Sequence, residues 1–185
     1  MSVSITAGRL LLATPPLTDP SFDRTVVYVV EHRTDGALGL VLNRPTDEPI
    51  GPPLDQWIGL LGSHAVAFEG GPVEQNGLLA LGTFVASGTE PTAIGPAERI
   101  TSVDLAADPT SLAGELRALR IFRGFAGWGP GQLDAELAQG AWIVVDAEPD
   151  DVVGADPQAL WRSVLRRQHG RLAWLADAPD DLERN

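Results

Sequence analysis

The sequence predicts an α+β domain built on a mixed β-sheet. Three observations carry that expectation: an early run of β-branched residues folded back on itself at a turn, a later strand–helix–strand sequence, and two Asp-Pro pairs of the kind that open helices. At 185 residues, 44% of them hydrophobic, the chain is long enough to bury a continuous core.

Leu10–Ala13 reads as a short strand, and a turn-rich segment with three prolines follows over Pro15–Asp23. Arg24–His32 is the clearest strand, rich in valine and carrying the tyrosine. Thr34-Asp35-Gly36 turns the chain, with Gly36 accepting positive φ, and Ala37–Asn43 returns as the second strand until Arg44-Pro45 stops it. Pro53–Ile58 predicts a short helix that presents Leu54, Trp57 and Ile58 to the core. Strands are expected over Ala65–Glu69 and Leu78–Phe84, separated by Gly70-Gly71-Pro72. A loop spans Val85–Ala97, and a further strand covers Arg99–Leu105.

Asp108-Pro109 predicts a helix with Leu112, Leu116 and Leu119 beneath it, and Leu119–Phe125 a strand. Pro130–Gln139 as helix and Trp142–Asp146 as strand complete a β-α-β unit, right-handed if its strands pair in parallel. Asp156-Pro157 opens a last helix whose Leu160, Trp161, Val164 and Leu165 share one face, with Gly170 ending it. In domain terms, residues 1–7 form a short tail, 8–176 the domain and 177–185 an acidic tail that frays.

Composition narrows function. Twenty-five acidic residues oppose 13 basic ones, all arginine, for a net charge of −12, which repels phosphate backbones at long range and makes direct nucleic-acid binding a poor expectation. With no cysteine there is no disulfide, thiolate nucleophile or cysteine-held metal, which fits the cytoplasm. No secretory signal stands at the N-terminus, and no apolar run approaches the roughly 20 residues that span a bilayer.

Candidate functional residues are sparse. Glu31-His32 ends the long strand, where neighbours point to opposite faces unless a bulge re-aims one. The pair reads either as a base with its orienting carboxylate or as a structural residue beside an exposed one. Asn43 and Arg44 leave the partner strand, Asn43 as a turn cap. Glu31 pairs with Arg33 or Arg44 only if the fold brings them together. Gly124–Gly131 surrounds Trp128 with glycines ahead of a helix opening Gln132-Leu-Asp-Ala-Glu136, whose carboxylates already complement the helix dipole and oppose a phosphate. The glycine spacing matches no nucleotide-binding fingerprint.

Arg162, Arg166, Arg167 and Arg171 form a basic strip without an acidic neighbour over Pro157–Arg171, open to reading as a solvated face or as a phosphate or partner contact. The acidic run Asp146, Glu148, Asp150, Asp151 lacks calcium-loop spacing and reads as a solvated loop. No serine or histidine sits in a catalytic or metal-binding pattern, so no catalytic residue, metal or cofactor is assigned.

Taken together, Gly8–Phe22, Thr25–His32, Gly36–Pro45, Gly70–Val73 and Phe125–Glu136 resemble the AlgH/YqgE family. The resemblance implies a single α+β domain with a strongly curved, partly barrel-like mixed sheet flanked by helices. It implies no agreed activity, and carries the label of transcriptional regulator without a helix-turn-helix signal here. Val30 stands where many relatives carry cysteine, and Phe125 where tyrosine is common, so redox sensing and a hydroxyl are absent at those positions. The expectation is a cytoplasmic, non-enzymatic regulatory or interaction domain with an unidentified protein partner. The alternative is a small-molecule binder or enzyme using one cleft formed by Glu31, His32, Asn43, Arg44, Trp128 and Gln132.

Overall fold

The structure, a computed structural model, describes residues 6–14, 23–85 and 98–177. Most of the turn-rich segment and of the Val85–Ala97 loop, residues 1–5, and residues 178–185 lie outside the described residues.

The strands are β1 (Arg9–Ala13), β2 (Val26–Arg33), β3 (Gly36–Val41), β4 (Pro45–Pro49), β5 (Val66–Glu69), β6 (Val73–Val85), β7 (Glu98–Ser102), β8 (Leu116–Trp128) and β9 (Trp142–Asp146). Four α-helices accompany them among the described residues: α1 (Gln132–Ala138), α2 (Pro149–Val153), α3 (Leu160–Arg166) and α4 (Arg171–Leu175). The sheet runs β4-β5-β8-β3-β2-β1-β9, with β6 joined to β8 and β7 joined to β6. It is mixed because β5 lies parallel to β8 while the other pairings are antiparallel. The sheet stays open, ending at β4 and β9.

Both faces at the centre are covered, which explains why the central strands read as apolar runs instead of alternating. Leu10, Leu12, Val26, Tyr28 and Leu40 face one layer, closed by Val152 of α2 and by Leu160, Trp161, Val164 and Leu165 of α3. Their neighbours Leu11, Ala13, Val27, Val29 and Val41 face the other, closed by Leu133 of α1 and by Trp128 and Trp142. Each α3 side chain removed from water contributes about 1.5–3 kcal/mol, so the apolar stripe accounts for the helix more than its length does. A third cluster gathers Trp57, Ala80, Phe84, Val103, Leu116, Leu119 and Ile121.

The hairpin forms as read: Arg33 pairs with Gly36 around Thr34-Asp35. Gly36, at φ +145°, has room for no side chain, since a Cβ there would lie 2.5 Å from the Trp128 carbonyl oxygen. The structure corrects several other expectations. Pro45 ends nothing; it opens β4, at the sheet edge where its missing N–H costs no ladder bond. Asp108 caps as expected, accepting from the Thr110 N–H at 2.8 Å, but only a 3-10 turn over Pro109–Leu112 follows. Gly114, at φ +87°, turns the chain, and Leu116 and Leu119 belong to β8.

Trp57 is buried in a 3-10 helix over Asp55–Leu60, whereas Ile58 is exposed. Strands β8 and β9 flank α1 but do not pair; β3, β2 and β1 lie between them. Asp156 holds the Gln158 N–H, yet α3 begins only at Leu160, ends at Arg166, and Gly170 precedes α4. The acidic run is not a loop: Pro149–Val153 is helical, with Glu148 and Asp151 forming a reciprocal cap. Among the described residues no helix is long and apolar enough to cross a membrane.

Candidate functional site

The β2–β3 hairpin carries most of the candidate residues, and its two ends differ. At the turn end the ladder skips one residue: Val29 pairs with Gly39 but Glu31 pairs with Leu38, leaving Val30 as a bulge. The extra residue exchanges the faces of everything after it. Glu31 joins the side of Leu38 and Phe125, where a shallow cleft of about 380 Å³ also touches Arg33 and Trp128. His32 falls on the opposite side, opposite Ala37, with Nδ1 2.6 Å from Thr6 Oγ1 and Nε2 3.7 Å from Asp134 Oδ1. The bulge therefore does not bring Glu31 and His32 to one site. Glu31 pairs with Arg33.

Behind His32, one carboxylate organises the glycine–tryptophan signature. Glu136 Oε2 accepts from the Trp128 indole N–H at 2.9 Å and from the Trp142 indole N–H at 2.7 Å. Its Oε1 accepts from the Gln132 amide at 2.9 Å, and Gln132 Oε1 in turn accepts the Gly129 N–H at 3.0 Å. The two indoles meet edge to face at 6.1 Å between centroids. The set closes on itself: each named donor meets an acceptor within it. Its chemistry is that of a fastener for α1 and β9. Glu136 is the residue sequence reasoning passed over as a dipole partner, although its i+4 spacing from Gln132 was a usable signal.

Asn43 and Arg44 lie at the other end of the hairpin. Asn43 bonds the backbone of the partner strand, its Oδ1 accepting the Val26 N–H and its Nδ2 donating to the Arg24 carbonyl, both at 3.0 Å. Arg44 donates to the Asp23 carbonyl at 3.2 Å. Five residues of strand from Val26 to Glu31 separate the ends by about 16 Å. The six residues expected to share a cleft thus occupy separate surfaces, and the one-cleft expectation is corrected.

What the open end does form is a second cleft of about 350 Å³, lined by Asp23, Arg24, Asn43, Arg44, Trp161 and Arg162. Arg24 takes an uncommon left-handed backbone, φ +49°, and its guanidinium lies 5.4 Å from the Trp161 ring centroid. Trp161 is fixed by its indole N–H, which donates to the Ala13 carbonyl at 3.0 Å.

The basic strip is dismantled by the same helix. Arg167 grips Asp151 through both guanidinium nitrogens, at 2.6 and 2.7 Å, and reaches the Asp146 carbonyl. Hydrogen bonding to Asp151, opposed by burial and aided by the charges of Asp151, Glu148 and Asp146, pushes its pKa up. Arg166 pairs with Asp177 at 2.9 Å. Arg162 turns to the cleft, and Arg171 is exposed on α4. One more arginine escaped the sequence reading: Arg120 is 2% exposed, donates to the Leu42 carbonyl at 3.0 Å and lies 4.1 Å from the Phe68 ring centroid. Burial pulls its pKa down to about 10 against the opposing charge of Asp150. Among the described residues no cluster of three or more histidines and carboxylates is placed to hold a metal.

The AlgH-like family profile matches residues 10–173. A UPF0301 protein of Streptomyces coelicolor is 49% identical over 99% of this chain and 97% of its own length. The crystal structure of a Corynebacterium diphtheriae protein superposes with a TM-score of 0.80 at 29% identity, covering 92% of this chain and 91% of that one. The solution structure of the AlgH protein from Pseudomonas aeruginosa gives a TM-score of 0.64 at 27% identity, over 98% of each chain. The signature residues, the open mixed sheet and these likenesses agree: the chain belongs to the AlgH-like, UPF0301 family.

Proposed function

We propose that this chain is a non-enzymatic regulatory or protein-interaction domain acting in the cytoplasm, and that its partner is a protein. The observation that carries the reading is the set of three exposed apolar residues in the first half of β6. Val73, Leu78 and Leu79 are 38%, 43% and 37% exposed. β7 pairs only with Leu81–Val85, so among the described residues no strand covers the outer edge of residues 74–79. Between Val73 and Leu78 the ladder to β8 slips, advancing five residues against two, so the segment stands out from the sheet. Exposed strand edges that carry apolar side chains invite pairing with another chain, and proteins that do not use them usually blunt them.

The net charge of −12 supports a protein partner over nucleic acid, so any regulatory effect runs through protein contact. The test is a photo-crosslinking amino acid placed at Leu79 in the host cell. The expected result is one discrete adduct with another protein, lost when Leu78→Asp is added and kept when exposed Gln56 is changed instead. Absence of any adduct from positions 73, 78 and 79 would overturn the reading, as would substrate turnover by the purified chain that disappears in His32→Ala.

A further inference from the structure

We propose, resting on the reading of β6 as a protein-contact surface, that the cleft at the turn end of the β2–β3 hairpin receives an arginine side chain from an extended segment of the partner. Val73 belongs to both places. It is one of the three exposed apolar residues of β6, and it lines the cleft of about 380 Å³ together with Glu31, Leu38 and Phe125. A segment lying along β6 has this opening beside it, and its successive side chains point alternately toward and away from the sheet.

The floor of the cleft is open because residue 127 has no side chain. A Cβ at Gly127 would lie 3.4 Å from the Phe125 ring and 3.6 Å from a Val73 methyl, both ordinary contact distances, and its backbone is not left-handed. The space beside Gly127 therefore has apolar walls at the distance an alkyl chain takes up, one of them the half-buried Phe125. Long basic side chains lay their methylene stem against such walls and keep the charged head in water. A guanidinium also gains from a neighbouring aromatic ring.

Charge selects the head group. The rim carries two carboxylates, Glu31 and Asp35, and one guanidinium, Arg33. Glu31 and Arg33 pair with each other, while Asp35, exposed at the hairpin turn, has no cation beside it among the described residues. Two carboxylates against one guanidinium leave the rim at about −1, in a chain of net charge −12, so a cation is drawn in and an acidic side chain is turned away. The volume lies at the lower end of small-molecule sites, room for one long side chain. Arginine suits it better than lysine, because a flat guanidinium stacks on a ring and meets a carboxylate with two N–H groups.

The experiment is a titration of N-acetyl-Val-Arg-Val-amide into the isotope-labelled full chain at constant ionic strength, followed by amide shifts. Saturable shifts are expected at residues 31–38, 73 and 125–128, complete by about 10 mM. The same peptide with glutamine in place of arginine binds at least about threefold more weakly, and so does butylguanidinium alone. Gly127→Ala fills the floor and weakens the arginine peptide about fivefold. Asp35→Asn weakens it about threefold, as loss of an exposed charge contact does, while Glu115→Gln, exposed outside the cleft, leaves it unchanged. If Gly127→Ala folds poorly, the exposed Asp35→Asn decides the matter. No saturation by about 10 mM would overturn the proposal, as would equal binding of the glutamine peptide or undiminished binding in Asp35→Asn. Butylguanidinium binding as tightly as the peptide would also overturn it, since the cleft would then be a site for a small cation. If the peptide fails while the Leu79 adduct still forms, the protein partner stands and only the cleft assignment falls; peptide binding without an adduct does the reverse.

Discussion

The two ends of the β2–β3 hairpin arrange their polar groups differently. At the turn end, donors are matched to acceptors: two indoles and an amide converge on Glu136, and Arg33 meets Glu31. At the open end, Arg24, Arg44 and Arg162 line one cleft together with Asp23, Asn43 and Gln158. Helix α3 reaches both settings, since Arg166 and Arg167 pair with carboxylates and Arg162 lines the cleft. A matched set explains itself through stability.

The comparison breaks most sharply at Asp151, which is 3% exposed and clamped by Arg167. If matched pairs carry the fold, Asp151→Ala leaves a half-buried guanidinium without its partner and lowers stability by about 3–5 kcal/mol in urea unfolding. Adding Arg167→Met removes the orphaned charge and recovers most of the loss. A single variant as stable as the parent would show that the pair is decorative. Next in size, Glu136→Leu strands two indole N–H groups and an amide and costs about 2–4 kcal/mol. Glu136→Gln keeps an acceptor and costs less.

These two residues also mark where the sequence stops being readable. The hairpin, β1 and the α3 stripe were legible because their signals are local: alternating or helical spacing, a turn glycine, a cap. Asp151 and Arg167 lie 16 residues apart, and nothing within the acidic run announces that one of its members is buried under an arginine. The same holds for the open cleft, whose arginines sit at positions 24, 44 and 162 and become neighbours only through the sheet. Local signals also misled. Asp108-Pro109 is a sound helix start, but burial of Leu116 and Leu119 against Trp57 in a strand outweighed the helical spacing. The bulge at Val30 has no residue signature, yet it decides which way Glu31 and His32 face.

A smaller effect sharpens the contrast from the other side. Arg162→Gln changes a half-buried arginine on the cleft side of α3, and its cost in stability stays within about 1 kcal/mol, against the several expected at the Asp151 pair. Thermal unfolding of the two variants side by side gives the comparison directly. A loss at Arg162 as large as that at Asp151 would mean that the cleft arginine is as much a structural member as Arg167.

The smallest effect tests the strand that joins the two ends. Tyr28 lies between them on β2, buried against Leu10 and Leu40, and is the sole tyrosine of the chain. Burial raises its phenol above the ordinary value of 10.0 because the interior disfavours the phenolate. A raised pKa means the folded state holds the proton more tightly, so this stability is complete below pH 10 and is lost as pH rises through the raised value. At pH 10, where an unfolded phenol is half ionised, the loss is below about 0.5 kcal/mol. Tyr28→Phe therefore loses less stability than the parent between about pH 9 and pH 11. Arg120, drawn down to about 10, works in the opposite direction but is common to both proteins and cancels in the difference. Phenolate absorbance reads the same group alone. A Tyr28 that titrates at the ordinary value would mean that water reaches the middle of the hairpin, and that the two ends are not held apart by a closed core.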